Sequence, residues 1–365
     1  MVVKRRAYVT LLTRPNYLAG VIILAYTLRM NSFDTGYPLV VLYTQSLPNS
    51  SVRALELEAS RTNIILRKIT PLLPPSKQPI TLIAERFADT WTKLRVFELY
   101  DLSYDEICYL DADMMICRNM DSVFDTQLPG KDWIGACHGC ICNCDSDPWA
   151  APYKSPENCV YTQESHPCAL SRATPVQENN RPDAPPQHIN SGMFLFHPSK
   201  RLWEEMLEFF STTPLLSTFQ FPDQDFLEHF FRNRRIAIPW QYNALKTSRY
   251  WHTNIWRDDE VICLHYIVDK PWANRIQPNG VAGYKGRDGV THSWWWAAYE
   301  SWVNDRQDQE VVHLVSEHVA SSGGELEEMK AIGSDVQGFA HNQTRKQTEN
   351  GLDSSSSKST DSRAR

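Results

Sequence analysis

The sequence predicts a single α/β domain with a mostly parallel, Rossmann-like central sheet over residues 1–320. It places an irregular cysteine-rich insertion at 137–188 and a disordered tail at 321–365. Three observations carry this. Short apolar runs alternate with helical spacing through the first 125 residues, which is the pattern of a parallel sheet covered on both faces. Residues 137–188 are rich in Cys, Pro, Asn and Ser and lack periodicity. Beyond Ser321 the chain turns polar and ends near a serine run at 354–357.

In chain order, residues 7–12 read as a buried strand without polar alternation, and 17–29 as a helix with most faces apolar. Leu39-Val40-Val41-Leu42-Tyr43 is a second buried strand, 63–69 a third and 106–110 a fourth, with helical spacing over 88–100 between the last two. After the insertion, 189–196 is a strand, 200–210 and 224–232 are helices and 261–266 is a further strand. Residues 294–302 carry four tryptophans in a helix, which reads as packing, because aromatic side chains dominate cores.

Composition narrows the function. The chain has 365 residues, 42% of them hydrophobic, enough for a sizeable core. A net charge of −6 and the absence of a basic stripe speak against a nucleic-acid partner. The apolar stretches at 8–13 and 18–28 fall short of the ~20 residues a membrane span requires, and neither has the flanks of a secretory leader. The expectation is therefore a cytoplasmic protein without a membrane span. Six of the nine cysteines fall between Cys137 and Cys168. In a cytosolic chain such a cluster indicates metal or redox chemistry sooner than disulfides.

The chemistry centres on Tyr109-Leu110-Asp111-Ala112-Asp113. On a loop, Asp-x-Asp is a solvated turn. Directly after a buried strand the two carboxylates need partners, because burying an unpaired charge is costly. Hard oxygen ligands suit magnesium or manganese. His265, at the end of an apolar run, is either a structural histidine or a third ligand for manganese. Lys270 is a surface lysine or a phosphate partner, and Lys93 a solvated helix residue or a buried phosphate partner. Asn190-Ser191-Gly192 makes a turn or offers polar groups to sugar hydroxyls. Asp223-Gln224-Asp225 opens a helix, where acids favour the dipole, or presents a carboxylate and an amide to a substrate.

In this order the motifs resemble glycosyltransferase family 8, which includes glycogenin and galactinol synthase, over roughly residues 7–275. The start Tyr8-Val9-Thr10-Leu11-Leu12-Thr13 with Tyr17 is similar to the family's uridine-binding opening. Thr92-Lys93-Leu94 resembles its helix with a phosphate-binding lysine, and Leu110-Asp111-Ala112-Asp113 its metal motif. Asn190-Ser191-Gly192-Met193-Phe194, Asp223-Gln224-Asp225-Phe226-Leu227, Pro239-Trp240-Gln241-Tyr242-Asn243 and His265-Tyr266 with Lys270-Pro271-Trp272 complete the series. The insertion and the Gln-Asp-Phe-Leu wording stand closer to galactinol synthase, which moves galactose from UDP-galactose to myo-inositol, than to glycogenin.

The resemblance implies a GT-A fold and a retaining transfer of a hexose from a UDP-sugar to an acceptor hydroxyl. Manganese would sit on Asp111, Asp113 and His265. Leu11, Thr13, Tyr17, Lys93, Ala112, Asn190, Ser191, Asp223, Gln224 and Lys270 would contact the nucleotide sugar. Asp223, Gln224 and Lys93 would serve catalysis. The acceptor is a polyol, a sugar or a protein tyrosine, and the family allows a homodimer. The alternatives are a glycogenin-like self-glucosylating primer, for which Tyr250 lies near the expected position, and a non-catalytic nucleotide-sugar-binding protein. One departure stands out. The family's loop between the metal histidine and the lysine usually contains glycine, which lets the backbone approach the diphosphate. Here it reads Tyr266-Ile267-Val268-Asp269.

The insertion offers Cys137, Cys140, Cys142, Cys144, Cys159 and Cys168, with His138 or His166 as substitutes, for a structural zinc site. The other reading is a set of free thiols.

Overall fold

The structure, a computed structural model, describes residues 4–32, 36–75, 85–146, 150–167, 172–176, 188–306 and 309–321. The expected disordered tail therefore lies outside the described residues from position 322 onward, as does Cys168.

The first half is a run of strand and helix. Strand β1 (Arg6–Leu12) leads through α1 (Leu18–Asn31) to β2 (Leu39–Thr44), then through α2 (Asn49–Thr62) to β3 (Ile64–Ile69). A 3-10 helix (Glu85–Leu102) returns the chain to β4 (Glu106–Leu110). These four strands pair in parallel in the order β3-β2-β1-β4. All four match the strands expected from the sequence. Helix α2 was not anticipated there, because its mixed, polar surface hides a buried stripe of Ser51, Ala54, Leu55, Glu58 and Thr62.

Beyond β4 come β5 (Met114–Ile116) and β6 (Ile134–His138), then the short α3 (Val160–Gln163) and β7 (Thr174–Pro175). Strand β8 (Ile189–Phe196) precedes α4 (Lys200–Thr212), α5 (Pro222–Phe230) and β9 (Arg235–Ala237). Strand β8 runs antiparallel between β4 and β6, and β9 and β7 complete an eight-stranded sheet that stays mostly parallel. The expected insertion thus begins later than position 137: Cys137 is a fully buried member of β6, inside the sheet. Its apolar neighbours Ile134, Gly135 and Ala136 pair with β8 and recruit it into the strand.

The last elements are β10 (Ala244–Leu245), α6 (Ser248–Trp251), β11 (Cys263–His265), α7 (Gly289–Asp305) and α8 (Gln309–Ser316). Strand β11 does not join the large sheet. It pairs parallel to β10 and antiparallel to β5 in a second, three-stranded sheet.

Side chains alternate across the parallel strands, as a pleated strand requires. Tyr8, Val41, Cys108 and Leu110 face a core shared with α1, α7 and α8, where Trp272, Trp295 and Trp302 pack. Ala7, Val9, Val40, Ile107 and Tyr109 face the other core, with Trp91, Phe97, Phe194 and Phe226 from the 3-10 helix, β8 and α5. The tryptophan-rich helix is packing, as expected: Trp295 lies 5.5 Å from Trp272 and stacks on Tyr299 at 5.3 Å. At the start of the chain, Lys4 (2.6 Å) and Arg6 (2.8 Å) pair with Glu106 at the foot of β4.

A buried ion pair fastens the last helices to α2. Arg306 donates to both oxygens of the fully buried Glu58 at 2.6 and 2.9 Å, and Trp302 Nε1 donates to Glu58 Oε1 at 3.1 Å. Removing one partner of such a pair leaves an uncompensated buried charge. Arg306→Ala is therefore expected to lower the free energy of unfolding by about 3–5 kcal/mol. The exposed pair Arg53–Glu310, between α2 and α8, serves as the control. Its Arg53→Ala variant should leave the urea midpoint essentially unmoved, and equal losses in the two variants would contradict this ranking.

Candidate active site

Because β1 leaves toward β2 while β4 lies on its other side, the ends of β1 and β4 flank a point where the strand order reverses. A crevice opens at such points beyond the carboxyl ends of the strands. Leu11 lies in β1, Thr13 just past it, and Tyr17 closes the 3-10 turn Pro15–Tyr17; all three are half-buried. Asp111, Ala112 and Asp113 leave β4 on the other side. Gly20 on α1 is what lets them fit, since a Cβ there would lie 2.2 Å from the Ala112 carbonyl oxygen and 2.7 Å from the Trp272 ring.

The second sheet brings in the histidine. Strand β5 begins at Met114, directly after Asp113, and Met114 is the register partner of His265. The Tyr266 amide donates to the Asp113 carbonyl at 2.9 Å. Asp111, Asp113 and His265 consequently offer ligand atoms that all lie within 4.8 Å of one another. His265 can approach only because residue 192 is glycine; a Cβ there would stand 2.3 Å from His265 Cε1.

A chain of hydrogen bonds fixes which ring nitrogen carries the proton. The Gly192 amide donates to Asn190 Oδ1 at 3.0 Å, so that atom is an acceptor. Asn243 Nδ2 donates to the same oxygen at 2.9 Å, which turns Asn243 Oδ1 toward His265 Nδ1 at 2.9 Å. An amide oxygen only accepts, so Nδ1 holds the proton. In the neutral ring, Nε2 then presents a bare lone pair to Asp113 Oδ1, 3.2 Å away. Two lone pairs that close repel unless a cation stands between them. Two carboxylates and an imidazole so oriented suit a hard divalent ion such as manganese or magnesium.

Two lysines answer the carboxylates. Lys93, 7% exposed, bridges Asp111 at 2.9 Å and Asp223 at 2.5 Å, and its ammonium also meets the Ser191 carbonyl at 3.4 Å. Burial works against its charge, but Asp111 and Asp223 outweigh burial and raise its pKa. It is thus no solvated helix residue, and its partners here are carboxylates. Lys270 is buried, pairs with Asp113 and donates to the Tyr266 carbonyl at 2.7 Å. Burial pushes the Asp113 carboxyl up, but Lys270 prevails and holds it well below the usual carboxylate range. Lys270 also lies 5.8 Å above the Tyr17 ring, which links the β1 side of the crevice to the metal side.

Ser191 Oγ donates to Asp223 Oδ2 at 2.8 Å, and Tyr109 OH to Asp111 Oδ1 at 2.9 Å. Asp223 and the half-buried Gln224 lie in the first turn of α5. Asp225 takes the capping role instead, accepting from the Gln220 and Phe221 amides at 2.7 and 3.0 Å. The helix-opening reading thus holds, while Asp223 turns to Lys93 and Ser191. Asp111, Asp113 and Asp223 against Lys93 and Lys270 leave one net negative charge, an electrostatic environment that favours a cation. Sequence reasoning gave no role to Asn243, Gly192 or the Tyr109 hydroxyl. Asn243 sits in a quoted motif, and the signal was its amide 22 positions before His265.

The loop without glycine keeps a glycine-like shape. Val268 has φ of 62°, in the left-handed region that a β-branched residue rarely adopts.

The family model for glycosyl transferase family 8 matches residues 8–275. Among curated proteins, the chain is 30% identical over 273 residues to galactinol synthase 6 of Arabidopsis thaliana, covering 73% of each. It is 27% identical over 308 residues to galactinol synthase 1 of Solanum lycopersicum, covering 83% of this chain and 84% of that one. Among solved structures, the galactosyltransferase LgtC in complex with donor and acceptor sugar analogues superposes with a TM-score of 0.51 at 18% identity, covering 89% of this chain and 99% of that one. The glycosyltransferase GlyE of Streptococcus pneumoniae gives 0.50 at 16% identity, over 82% of this chain and 64% of that one. The fold is the mixed α/β, GT-A architecture that the sequence predicted.

Two outcomes follow from this geometry. Asn243→Ala frees the His265 tautomer and should weaken divalent-metal binding by about 10–100-fold, read by titrating manganese against the purified protein; unchanged affinity would remove the relay from the argument. A left-handed non-glycine residue costs about 1–2 kcal/mol, and glycine gives back about 0.5–1 in chain entropy. Val268→Gly should therefore stabilise the fold by about 0.5–1 kcal/mol in urea unfolding, and a loss of stability would show that the valine side chain outweighs the backbone.

Proposed function

The chain belongs to glycosyl transferase family 8 and is a glycosyltransferase, and we propose that it moves a hexose, with retention, from a UDP-sugar to the hydroxyl of a polyol, in the manner of a galactinol synthase. The observation that carries the reading is the convergence of Asp111, Asp113 and His265, with the His265 lone pair aimed at Asp113, at the mouth of the crevice between β1 and β4. The galactinol synthases among its relatives support the polyol acceptor.

Asp111, Asp113 and His265 hold the metal, manganese in this reading. When bound, the ion supplies a Lewis acid that steadies the charge on the departing diphosphate. The chain's own residues do the rest. Leu11, Thr13 and Tyr17 line the nucleoside side of the crevice. Lys270, buried between Asp113 and Tyr17, offers its ammonium to the phosphates as UDP leaves. Lys93 holds Asp111 and Asp223 in fixed relation, so that the metal side and the sugar side of the site stay in register. Asn190, Ser191, Asp223 and Gln224 orient the sugar, and Asp223 with Gln224 faces the positive charge that builds at its reacting carbon. Residues 1–320 act as one domain, and the protein works in the cytoplasm. Among the described residues no helix is long and apolar enough to cross a membrane.

The test is UDP release from UDP-galactose, UDP-glucose and UDP-N-acetylglucosamine, with and without manganese and with and without myo-inositol. The expected result is manganese-dependent release from one donor that rises with myo-inositol. Changing a group that merely supports a metal ligand costs about 10–100-fold. Asp113→Asn, which alters a ligand itself, should cost more than about 100-fold in kcat/KM. Tight UDP binding with no release from any donor would overturn the enzymatic reading, and unchanged activity of Asp113→Asn would overturn the metal assignment.

A further inference from the structure

A second cluster of metal-binding side chains lies outside the active site. Cys140, Cys142, Cys159 and His252 present four ligand atoms, all within 4.8 Å of one another. Cys140 Sγ lies 3.1 Å from Cys142 Sγ and 3.1 Å from His252 Nε2, and Cys159 Sγ lies 4.0 Å from the same nitrogen. Cys142, Cys159 and His252 are at most 1% exposed.

We propose that these four residues form a tetrahedral Cys3His zinc site that clips the insertion to the segment after α6. Zinc–ligand distances of about 2.3 Å to sulfur and 2.0–2.1 Å to nitrogen place tetrahedral ligand atoms about 3.5–3.8 Å apart. The separations from Cys140 to Cys142 and from His252 to Cys140 and Cys159, 3.1 to 4.0 Å, bracket that range, and all four atoms lie within 4.8 Å of one another, so zinc fits with adjustments of about an ångström or less. Three thiols and one imidazole are the soft and borderline donors that select zinc over magnesium or manganese. Coordination releases the thiol protons to solvent and changes no oxidation state.

The ligand set differs from the one the cysteine spacing offered. Cys137 turns into the core, with its thiol 3.2 Å from the Pro239 carbonyl, and Cys144 is exposed. The fourth ligand is neither His138 nor His166. His252 comes from a remote segment, 93 positions beyond Cys159.

The surroundings show what the clip holds. Tyr161 OH donates to the His138 carbonyl at 2.7 Å, and its ring lies 5.4 Å from that of His252. Asn254 Nδ2 donates to the carbonyls of Tyr161 at 2.6 Å and Glu164 at 2.5 Å, and the His166 amide returns a bond to the Asn254 carbonyl at 2.9 Å. The insertion is thus laced to residues 252–254 around the cluster. It leads back to β8, whose opening residues Asn190 and Ser191 belong to the active site. A structural zinc supplies folding free energy to a segment that has little apolar surface of its own to bury.

The experiment uses the full chain, expressed with zinc and purified under reducing conditions. Metal content is read by mass spectrometry, and the zinc is then exchanged for cobalt(II) to read thiolate coordination. The expected result is about one equivalent of zinc per chain and a thiolate-to-cobalt charge-transfer band from a tetrahedral site. Cys142→Ser should reduce zinc to below about a tenth of an equivalent, whereas Cys144→Ser keeps it. Asp113→Asn also keeps it, which separates this site from the active-site metal. Absence of both zinc and the cobalt band in the unaltered protein would overturn the proposal even if Cys142→Ser fails to fold. So would retention of full zinc by Cys142→Ser, or a Cys140–Cys142 disulfide in the purified protein.

Discussion

The molecule is organised around charge buried at the end of β4. Asp111, Asp113 and Asp223 lie where water is largely excluded, and ionised carboxylates there are tolerable only if they are answered. Lys93 answers two of them and Lys270 the third. Each lysine comes from a different segment, the 3-10 helix before β4 and the loop after β11, so the carboxylates hold distant parts of the chain to one point. The same cluster supplies the electrostatics of a glycosyltransferase. One negative charge remains to draw a cation.

The histidine arm shows how an orientation is enforced without flexibility. A backbone amide, two asparagines and one imidazole form a line in which each group's role follows from the one before. Gly192 appears in it twice, as the donor that starts the relay and as the gap that admits the ring. The second sheet completes the arrangement, because the register of β11 on β5 places His265 beside the turn that carries Asp113. Val268 belongs to the same economy. Its backbone adopts the left-handed shape that glycine would supply, held there by a loop pinned between the Tyr266 amide on Asp113 and the Lys270 ammonium on the Tyr266 carbonyl.

The insertion illustrates the other half of the problem. Its cysteines were visible as a dense run, yet density in sequence misidentified the members. Cys137 belongs to β6 because its apolar neighbours pair with β8, and Cys144 points to solvent. His252 could not be paired with Cys159 by counting, since 93 positions separate them and only the folded chain brings them together.

The sequence by itself determined the alternation of strand and helix, the parallel character of the sheet in the first half, and the family. Those depend on local periodicity and on short motifs that keep their spacing along one stretch of chain. It also marked Asp111, Asp113, His265, Lys93 and Lys270 as the residues with chemistry to do. The tertiary structure decided their relations: that Lys93 spans Asp111 and Asp223, that Asn243 sets the His265 proton, that Gly192 must be glycine, and that β11 forms a sheet apart from the large one. These are contacts between residues tens to more than a hundred positions apart. No local pattern encodes them, because they arise only when the pairing of strands fixes which side chains share a space.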